Sequence, residues 1–122
     1  KDLDDLMNKK LDKYIVSIDG IINDAILSIN KNKSRCVIVI DKNYKVYGVF
    51  SEGDLLRFLI AGMNIYSPIK SNININFKYL NNKNKKKALD LVKCFGITLI
   101  PVVDKEMILK DIISIHDLLM DI

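Results

Sequence analysis

The chain has 122 residues, of which 49% are hydrophobic and 28% are charged, and its formal net charge is +4. A chain of this length can bury a core without disulfides or a metal, and this composition excludes an intrinsically disordered protein. No apolar run approaches the roughly 18 residues that a membrane-spanning helix needs, so the sequence predicts no membrane partner.

The first predicted element is a lead-in helix at 1–13, where "DLDDLM" has an amphipathic pattern. This segment carries acidic residues and lacks the apolar core of a signal peptide, so nothing in it directs export. Cys36 and Cys94 lie in apolar contexts, which favours buried, reduced thiols and a cytoplasmic location. Because the chain begins at Lys1, we expect it to be a piece of a longer protein.

The next elements form one unit at 14–65. Its apolar residues fall first at helical spacing and then in two β-branched runs that a short polar turn separates. Strands linked so closely must form an antiparallel hairpin. A second helix follows this hairpin, and Gly62 is a natural stop for that helix. In chain order the unit is a strand, a helix, two hairpin strands and a second helix: 14–17, Ile21 to Ile29, 36–40, 46–50 and Ser51 to Gly62.

A second unit at 77–122 repeats the first after a linker at 66–76. When residues 25–56 are aligned without a gap to those 63 positions later, eight of 32 positions are identical. The repeat predicts a strand, a helix, two strands and a final helix: 77–80, Ala88 to Phe95, 98–103, 107–113 and Ser114 onwards. Since two copies are too few for a solenoid, we predict an α+β fold in which two β-α-β-β-α repeats pack with pseudo-twofold symmetry.

Both units place Ser-x-x-Asp where the second hairpin strand ends, as Ser51 with Asp54 and as Ser114 with Asp117. The spacing is typical of a helix capping box, with Asp in place of the usual Glu or Gln. The same geometry suits a nucleotide, because the N–H groups at a helix start attract phosphate and a carboxylate can accept ribose hydroxyls. Capping alone and nucleotide binding both stay open at this point.

Two neighbours of the first motif strengthen the nucleotide hypothesis. Gly48 would let a ligand approach the strand backbone closely. Arg57 lies three residues beyond Asp54 on the same helix face, where it can reach a phosphate or pair with Asp54.

The remaining patterns predict neither nucleic-acid binding nor catalysis. The run "NNKNKKK" at 81–87 lacks arginine and interleaved aromatics, which favours a solvated loop and a first helical turn. His116 is the only histidine, and no nucleophile is spaced to use it as a base. Two cysteines and one histidine cannot form a tetrahedral metal site.

The repeated unit resembles the CBS domain, and the two units together resemble a CBS pair, or Bateman module. The family motif is Gly-h-x-Ser/Thr-x-x-Asp, where h is apolar, and "GVFSEGD" at 48–54 matches it fully. "DIISIHD" at 111–117 matches except that Asp111 replaces the glycine, and "IPVVD" at 100–104 is also typical of the family. The resemblance implies a regulatory adenine nucleotide (AMP, ADP or ATP) in the cleft between the units, with no other cofactor.

The resemblance also assigns roles to individual residues. Ser51 is expected to contact phosphate and Asp54 to hold the ribose hydroxyls, and Ser114 and Asp117 are expected to do the same in a second cleft. Asp111 adds charge and bulk in that second cleft. The expected wall positions, which precede or begin the strands, are Arg35, Val37, Thr98 and Ile100.

A narrower resemblance concerns the protein from which the chain comes. "SEGDLLRFLIAGMNIYSPI" at 51–69 is similar to CBS pairs attached to sugar-phosphate enzymes. "NFKYL" at 76–80 favours sugar-phosphate nucleotidyltransferases, whereas "ISIHDLL" at 113–119 is similar to arabinose-5-phosphate isomerases. We expect the non-catalytic regulatory part of a nucleotidyltransferase, dimerised through the pair. The alternatives are an isomerase module and a purely structural dimerisation module that binds no nucleotide.

Overall fold

A computed structural model describes residues 11–119, and its elements follow the predicted order twice. The first repeat contains strand β1 (Ile15–Ser17), helix α1 (Ile22–Asn32), strands β2 (Cys36–Ile40) and β3 (Val46–Ser51), and helix α2 (Glu52–Ile60). The second contains helix α3 (Lys85–Phe95), strands β4 (Leu99–Val103) and β5 (Leu109–Ser114), and helix α4 (Ile115–Leu119). The predicted α+β class is confirmed. Most of the lead-in helix expected at 1–13 lies outside the described residues.

The two hairpins are built alike. In the first, Cys36 lies opposite Ser51, and in the second, Leu99 lies opposite Ser114, 63 residues later on both strands. Each hairpin also has a bulge just before the last residue of its first strand. The first sheet has the order β1-β2-β3, with β1 parallel to β2, and β4 and β5 form a two-stranded antiparallel sheet.

The strand expected at 77–80 is reduced to a single bridge, so that prediction was wrong in extent. Leu80 pairs in parallel with Val102, and its N–H donates to the Pro101 carbonyl at 3.1 Å. The ladder does not extend because its neighbours have other partners. Phe77 packs against the hydrophobic cluster shared by the repeats, and the Asn81 side-chain amide donates to the Val103 carbonyl at 3.2 Å.

The two repeats meet at their hairpin turns. The Val46 N–H donates to the Met107 carbonyl at 2.9 Å, and the Leu109 N–H donates to the Tyr44 carbonyl at 2.8 Å. Each bond is the symmetry counterpart of the other, which is the local signature of a pseudo-twofold axis. Below the turns lies one hydrophobic cluster with members from both repeats: Leu11, Cys36, Ile38, Ile40, Val46, Leu99, Val103, Leu109 and Ile112.

The segment expected to link the repeats is packed against the first one. Ile69 is fully buried, and its N–H donates to the Gly20 carbonyl at 3.0 Å. Further along, Asn74 exchanges two backbone hydrogen bonds with Val49, at 2.9 and 3.0 Å, along the outer edge of β3. This pairing holds residues 74–78 beside the gap between the repeats. None of the helices within residues 11–119 is long and apolar enough to cross a membrane.

Candidate functional site

A cleft of about 320 Å³ lies between the repeats, at the start of α2. Four of the predicted site residues line it: Ser51, Asp54, Arg57 and Thr98. The other six lie outside its wall: Arg35, Val37, Gly48, Ile100, Ser114 and Asp117. The structure therefore brings together the first motif, the arginine that follows it and one residue of the second repeat.

The first motif forms a complete capping box. The Asp54 N–H donates to Ser51 Oγ at 3.2 Å, and the Ser51 N–H donates to Asp54 Oδ2 at 2.9 Å. The Ser51 hydroxyl also donates to Asp54 Oδ2 at 3.0 Å, and Arg57 donates to Asp54 Oδ1 at 2.7 Å. Only 18% of the Asp54 side chain is exposed, against 72% for Arg57. Three groups thus donate to the Asp54 carboxylate at the cleft: the Ser51 N–H, the Ser51 hydroxyl and the Arg57 guanidinium. The last of these is on a long, solvent-exposed side chain.

The second motif makes the same cap but does not reach this cleft. The Ser114 N–H donates to Asp117 Oδ2 at 2.9 Å, and the Asp117 N–H donates to Ser114 Oγ at 3.2 Å. Ser114 is only 1% exposed. Arg35, the counterpart of Thr98, is exposed with a left-handed φ of +63°, and its carbonyl accepts the Glu52 N–H at 2.9 Å.

Two expected wall residues lie in the cores instead. Val37 packs in the core of the first repeat and Ile100 in that of the second, on the helix-covered side of each sheet. Because successive side chains of a strand point to opposite faces, their neighbours Cys36 and Leu99 line the cleft. Of the four expected wall residues, Thr98 alone lines the cleft, beside Leu99 of the second repeat and Cys36 of the first.

Gly48 serves the protein's own backbone. A Cβ added there would lie 2.6 Å from the Asn74 carbonyl oxygen, so the glycine permits the close approach of the linker segment. In the second repeat no such segment flanks the counterpart position within the described residues. There Asp111 Oδ1 accepts the N–H of Ile112 at 2.7 Å, and Lys83 pairs with Asp111 at 3.1 Å. The linker segment pairs with the edge of β3 and requires a glycine there, whereas the edge of β5 has no such partner within the described residues. A side chain is therefore tolerated at position 111, where the family motif has glycine.

Sequence reasoning missed the aromatic and basic part of the cleft. Phe77, Lys78 and Phe95 all line it, together with Asn74 and Asn76. The Lys78 ammonium lies 4.4 Å from the centroid of the Phe95 ring, a cation–π contact. A signal was present in "NFK" at 76–78, but it becomes informative only once the linker is known to fold back beside β3.

Cys36 contributes an apolar wall to the cleft. Burial, and secondarily the negative charge of Asp54, raise the pKa of its thiol to about 12. A thiol with this pKa stays protonated near neutral pH, which makes it a poor nucleophile. Within residues 11–119 no group of three or more His, Cys, Asp or Glu side chains is placed to hold a metal ion.

Comparisons with known proteins bear on this architecture. The model of the CBS domain family matches residues 3–61. A solved CBS domain protein from Pyrobaculum aerophilum, described as complexed with AMP, superposes with a TM-score of 0.71 at 19% identity, over 88% of each chain. The chain has the fold of a tandem CBS pair. A CBS domain pair/ACT domain protein from Thermotoga maritima gives a TM-score of 0.73 at 25% identity, over 91% of this CBS pair and 88% of that chain.

Curated relatives of the CBS pair include a sugar-phosphate enzyme. Arabinose 5-phosphate isomerase GutQ of Escherichia coli K12 is 28% identical over 103 residues, which are 84% of this chain and 32% of the isomerase. The CBS pair therefore spans about a third of the length of the curated relatives that it matches.

Proposed function

We propose that this CBS pair binds an adenine nucleotide in the cleft at Asp54 and that the bound nucleotide regulates an attached sugar-phosphate enzyme. The observation that carries the proposal is the cluster of Ser51, Asp54 and Arg57, which faces a cleft that also holds Lys78 and two aromatic rings. A volume of about 320 Å³ is within the range of small-ligand sites.

Each part of the cleft matches one part of a nucleotide. Arg57 and Lys78 supply positive charge for the phosphate, and the Ser51 hydroxyl can donate to it once it turns away from Asp54 Oδ2. Asp54 can accept ribose hydroxyls on Oδ1, the oxygen that accepts from Arg57 in this structure. Once ribose takes that oxygen, the Arg57 side chain is free to turn to the phosphate. Phe77 and Phe95 offer apolar ring faces against which a purine can stack.

AMP is the first nucleotide to test, with ADP and ATP next. The protein from Pyrobaculum aerophilum, which shares this fold, is described as complexed with AMP. Coupling free energies between a regulatory site and a second site are typically ~1–3 kcal/mol. The coupling must be reciprocal, so substrate binding to the attached enzyme would change the affinity for the nucleotide by the same factor.

The test is thermal unfolding with AMP, ADP, ATP, GMP and CMP, measured on the wild type and on two matched variants. Asp54→Ala and Asp117→Ala each remove the carboxylate that accepts the N–H of the N-cap serine, so each should lower stability by about 1 kcal/mol, and Asp54→Ala also removes the bonds from the Ser51 hydroxyl and Arg57. Only Asp54 lines the cleft. A nucleotide at ~100 times its dissociation constant adds about 2.7 kcal/mol, a shift of several degrees, to the wild type and to Asp117→Ala. The shift should vanish in Asp54→Ala.

The contrary result would favour the structural alternative. If no nucleotide raises the melting temperature of any of the three proteins, Ser51 and Asp54 are helix caps alone. The pair would then be a dimerisation module.

The attached enzyme is proposed from the relatives. The similarity to arabinose 5-phosphate isomerase GutQ over 84% of this chain favours the isomerase alternative over the nucleotidyltransferase that the segment at 76–80 suggested. The CBS pair itself is the non-catalytic regulatory part in either case. We place it in the cytoplasm, where a free thiol such as that of Cys94, which is exposed and not buried as the sequence predicted, stays reduced. Assay of the full-length enzyme for sugar-phosphate isomerisation, with and without AMP, checks the assignment.

A further inference from the structure

We call the cleft at Ser51 and Asp54 the first cleft. The pseudo-twofold axis relates each of its residues to a counterpart 63 positions away in the sequence, on the opposite side of the axis. The hairpin registers, the helix caps and the left-handed residues that end α1 and α3 all obey this relation. A second cleft would therefore lie between the start of α4 and the end of α1. Three pairs of counterparts differ in the size of the side chain: Gly53 and His116, Gly96 and Lys33, Phe95 and Asn32.

Two glycines lie at the first cleft, Gly96 in its wall and Gly53 beside the residues of its wall. Gly96 ends α3 and lines the cleft directly. A Cβ added at Gly53 would stand 3.5 Å from the Arg57 guanidinium and 3.6 Å from Ser51 Oγ. A large side chain at residue 53 would therefore crowd the groups that are proposed to bind phosphate.

The second cleft is crossed by a side chain. His116 Nε2 lies 3.3 Å from the Lys33 carbonyl oxygen, so the imidazole joins the two positions that are glycines in the first cleft. Behind it, the Asn32 amide donates to the carbonyls of Lys13 and Cys36, at 3.0 Å each. The counterpart of the Phe95 ring is thus an amide with satisfied hydrogen bonds, whereas the counterpart of Phe77 is another aromatic residue, Tyr14.

Two hydroxyls on this side of the axis are out of reach of solvent. Ser114 and Ser34 are each 1% exposed, and the Ser34 hydroxyl has no hydrogen-bond partner among the described residues. The cation of Lys78 has no counterpart, because residue 15 is an isoleucine, whereas Lys33 and Arg35 are the counterparts of Gly96 and Thr98. A phosphate would therefore meet basic residues but no free Ser114 hydroxyl, and the imidazole of His116 would lie across its path.

We propose that the chain binds one nucleotide, in the first cleft, and that His116 closes the second cleft by its contact with the Lys33 carbonyl. The inference rests on the proposed function, which it deepens by fixing the number of sites and the residue that sets it. With a single binding cleft, the CBS pair has only two states, empty and nucleotide-bound. The attached enzyme would therefore respond to one binding equilibrium.

The test exchanges the two residues and counts bound AMP by isothermal titration calorimetry. The wild type should bind one AMP per chain, and Gly53→His should bind none because the imidazole would crowd Ser51 and Arg57. His116→Gly should add a second, weaker binding event, since the imidazole no longer reaches the Lys33 carbonyl and Lys78 still has no cationic counterpart. His116→Gln is the control: its amide can still donate to the Lys33 carbonyl, so it should keep a single site. Thermal unfolding of each variant verifies that it is folded.

The outcomes separate the two proposals. Two AMP per wild-type chain would overturn the single-site inference and leave the proposed function standing. No binding to the wild type would overturn both. A folded His116→Gly variant that still binds one AMP at concentrations 100-fold above the first dissociation constant would show that His116 does not close the second cleft.

Discussion

At the residue scale, one position of the motif serves the fold and the others serve the cleft. Gly48 has no contact with the cleft, and its lack of a side chain allows the Asn74 carbonyl to approach within hydrogen-bonding range of β3. Ser51 and Asp54 cap α2 and at the same time line the cleft. A capping box and a nucleotide site are therefore compatible uses of the same two side chains.

Gly48→Ala should destabilise the CBS pair by about 1–3 kcal/mol, the usual cost of overpacking. The new Cβ would lie 2.6 Å from a backbone oxygen, so the linker segment must move away from β3. Gly53→Ala is the matched control. Its Cβ would meet no atom closer than 3.5 Å, and alanine favours the helix, so stability should stay equal or rise. Urea unfolding checks both; equal stability of Gly48→Ala and the wild type would contradict the role given to Gly48.

The sequence predicted the residues that are local to one motif and missed those that tertiary contacts assemble. Ser51, Asp54 and Arg57 follow from one helix start, and all three line the cleft. Phe77 and Phe95 are 18 positions apart in the sequence, and nothing local indicates that they line the same cleft. Val37 and Ile100 were expected in the wall but lie in the cores, because strand alternation fixes two faces without saying which of them the helices cover.

At the scale of elements, the hairpin turns are the part of the fold most strictly repeated. Asp41 Oδ1 accepts the N–H groups of Asn43 and Lys45 at 2.8 and 3.0 Å, and Asp104 Oδ1 accepts their counterparts at 2.9 and 3.0 Å. These turns carry the backbone bonds that join the repeats. A short polar stretch between two apolar runs predicted the turns, whereas the prediction of a strand at 77–80 was wrong in extent because the length of that strand depends on tertiary partners.

The turn carboxylates should make stability fall in acid. Backbone hydrogen bonds hold the pKa values of Asp41 and Asp104 below the usual 3.8. The largest contribution comes from the Lys45 N–H for Asp41 and from the Ile108 N–H for Asp104. A lowered folded pKa means that the contribution is complete above pH 3.8 and is lost as the pH falls through the lowered value. Urea midpoints measured from pH 6 to pH 2.5 should decline less steeply for Asp41→Asn/Asp104→Asn, which cannot titrate. Asp90→Asn, on the exposed face of α3, is the control and should follow the wild type.

At the scale of the whole molecule, the pseudo-twofold axis repeats an apolar surface as well as a cleft. Leu56 on α2 is 60% exposed, and its counterpart Leu119 on α4 is 57% exposed. Around Leu56, an apolar groove of about 600 Å³ runs between α1 and α2, lined by Ile26, Ile29, Leu55, Leu56 and Leu59 among others. A surface of this kind on a small protein marks an interaction site.

We propose that a second copy of the CBS pair covers this face. Because both repeats present leucines at equivalent places, two copies related by a twofold axis can bury the same surface on each side. Sedimentation equilibrium should therefore show a dimer for the wild type, and Leu56→Asp should raise the dissociation constant at least tenfold, about 1.4 kcal/mol. Tyr66→Asp is the control, since Tyr66 is 67% exposed but lies outside the helices. A wild type that remains monomeric at 100 µM would contradict the dimer, and Leu56→Asp should still bind AMP because Leu56 does not line the nucleotide cleft.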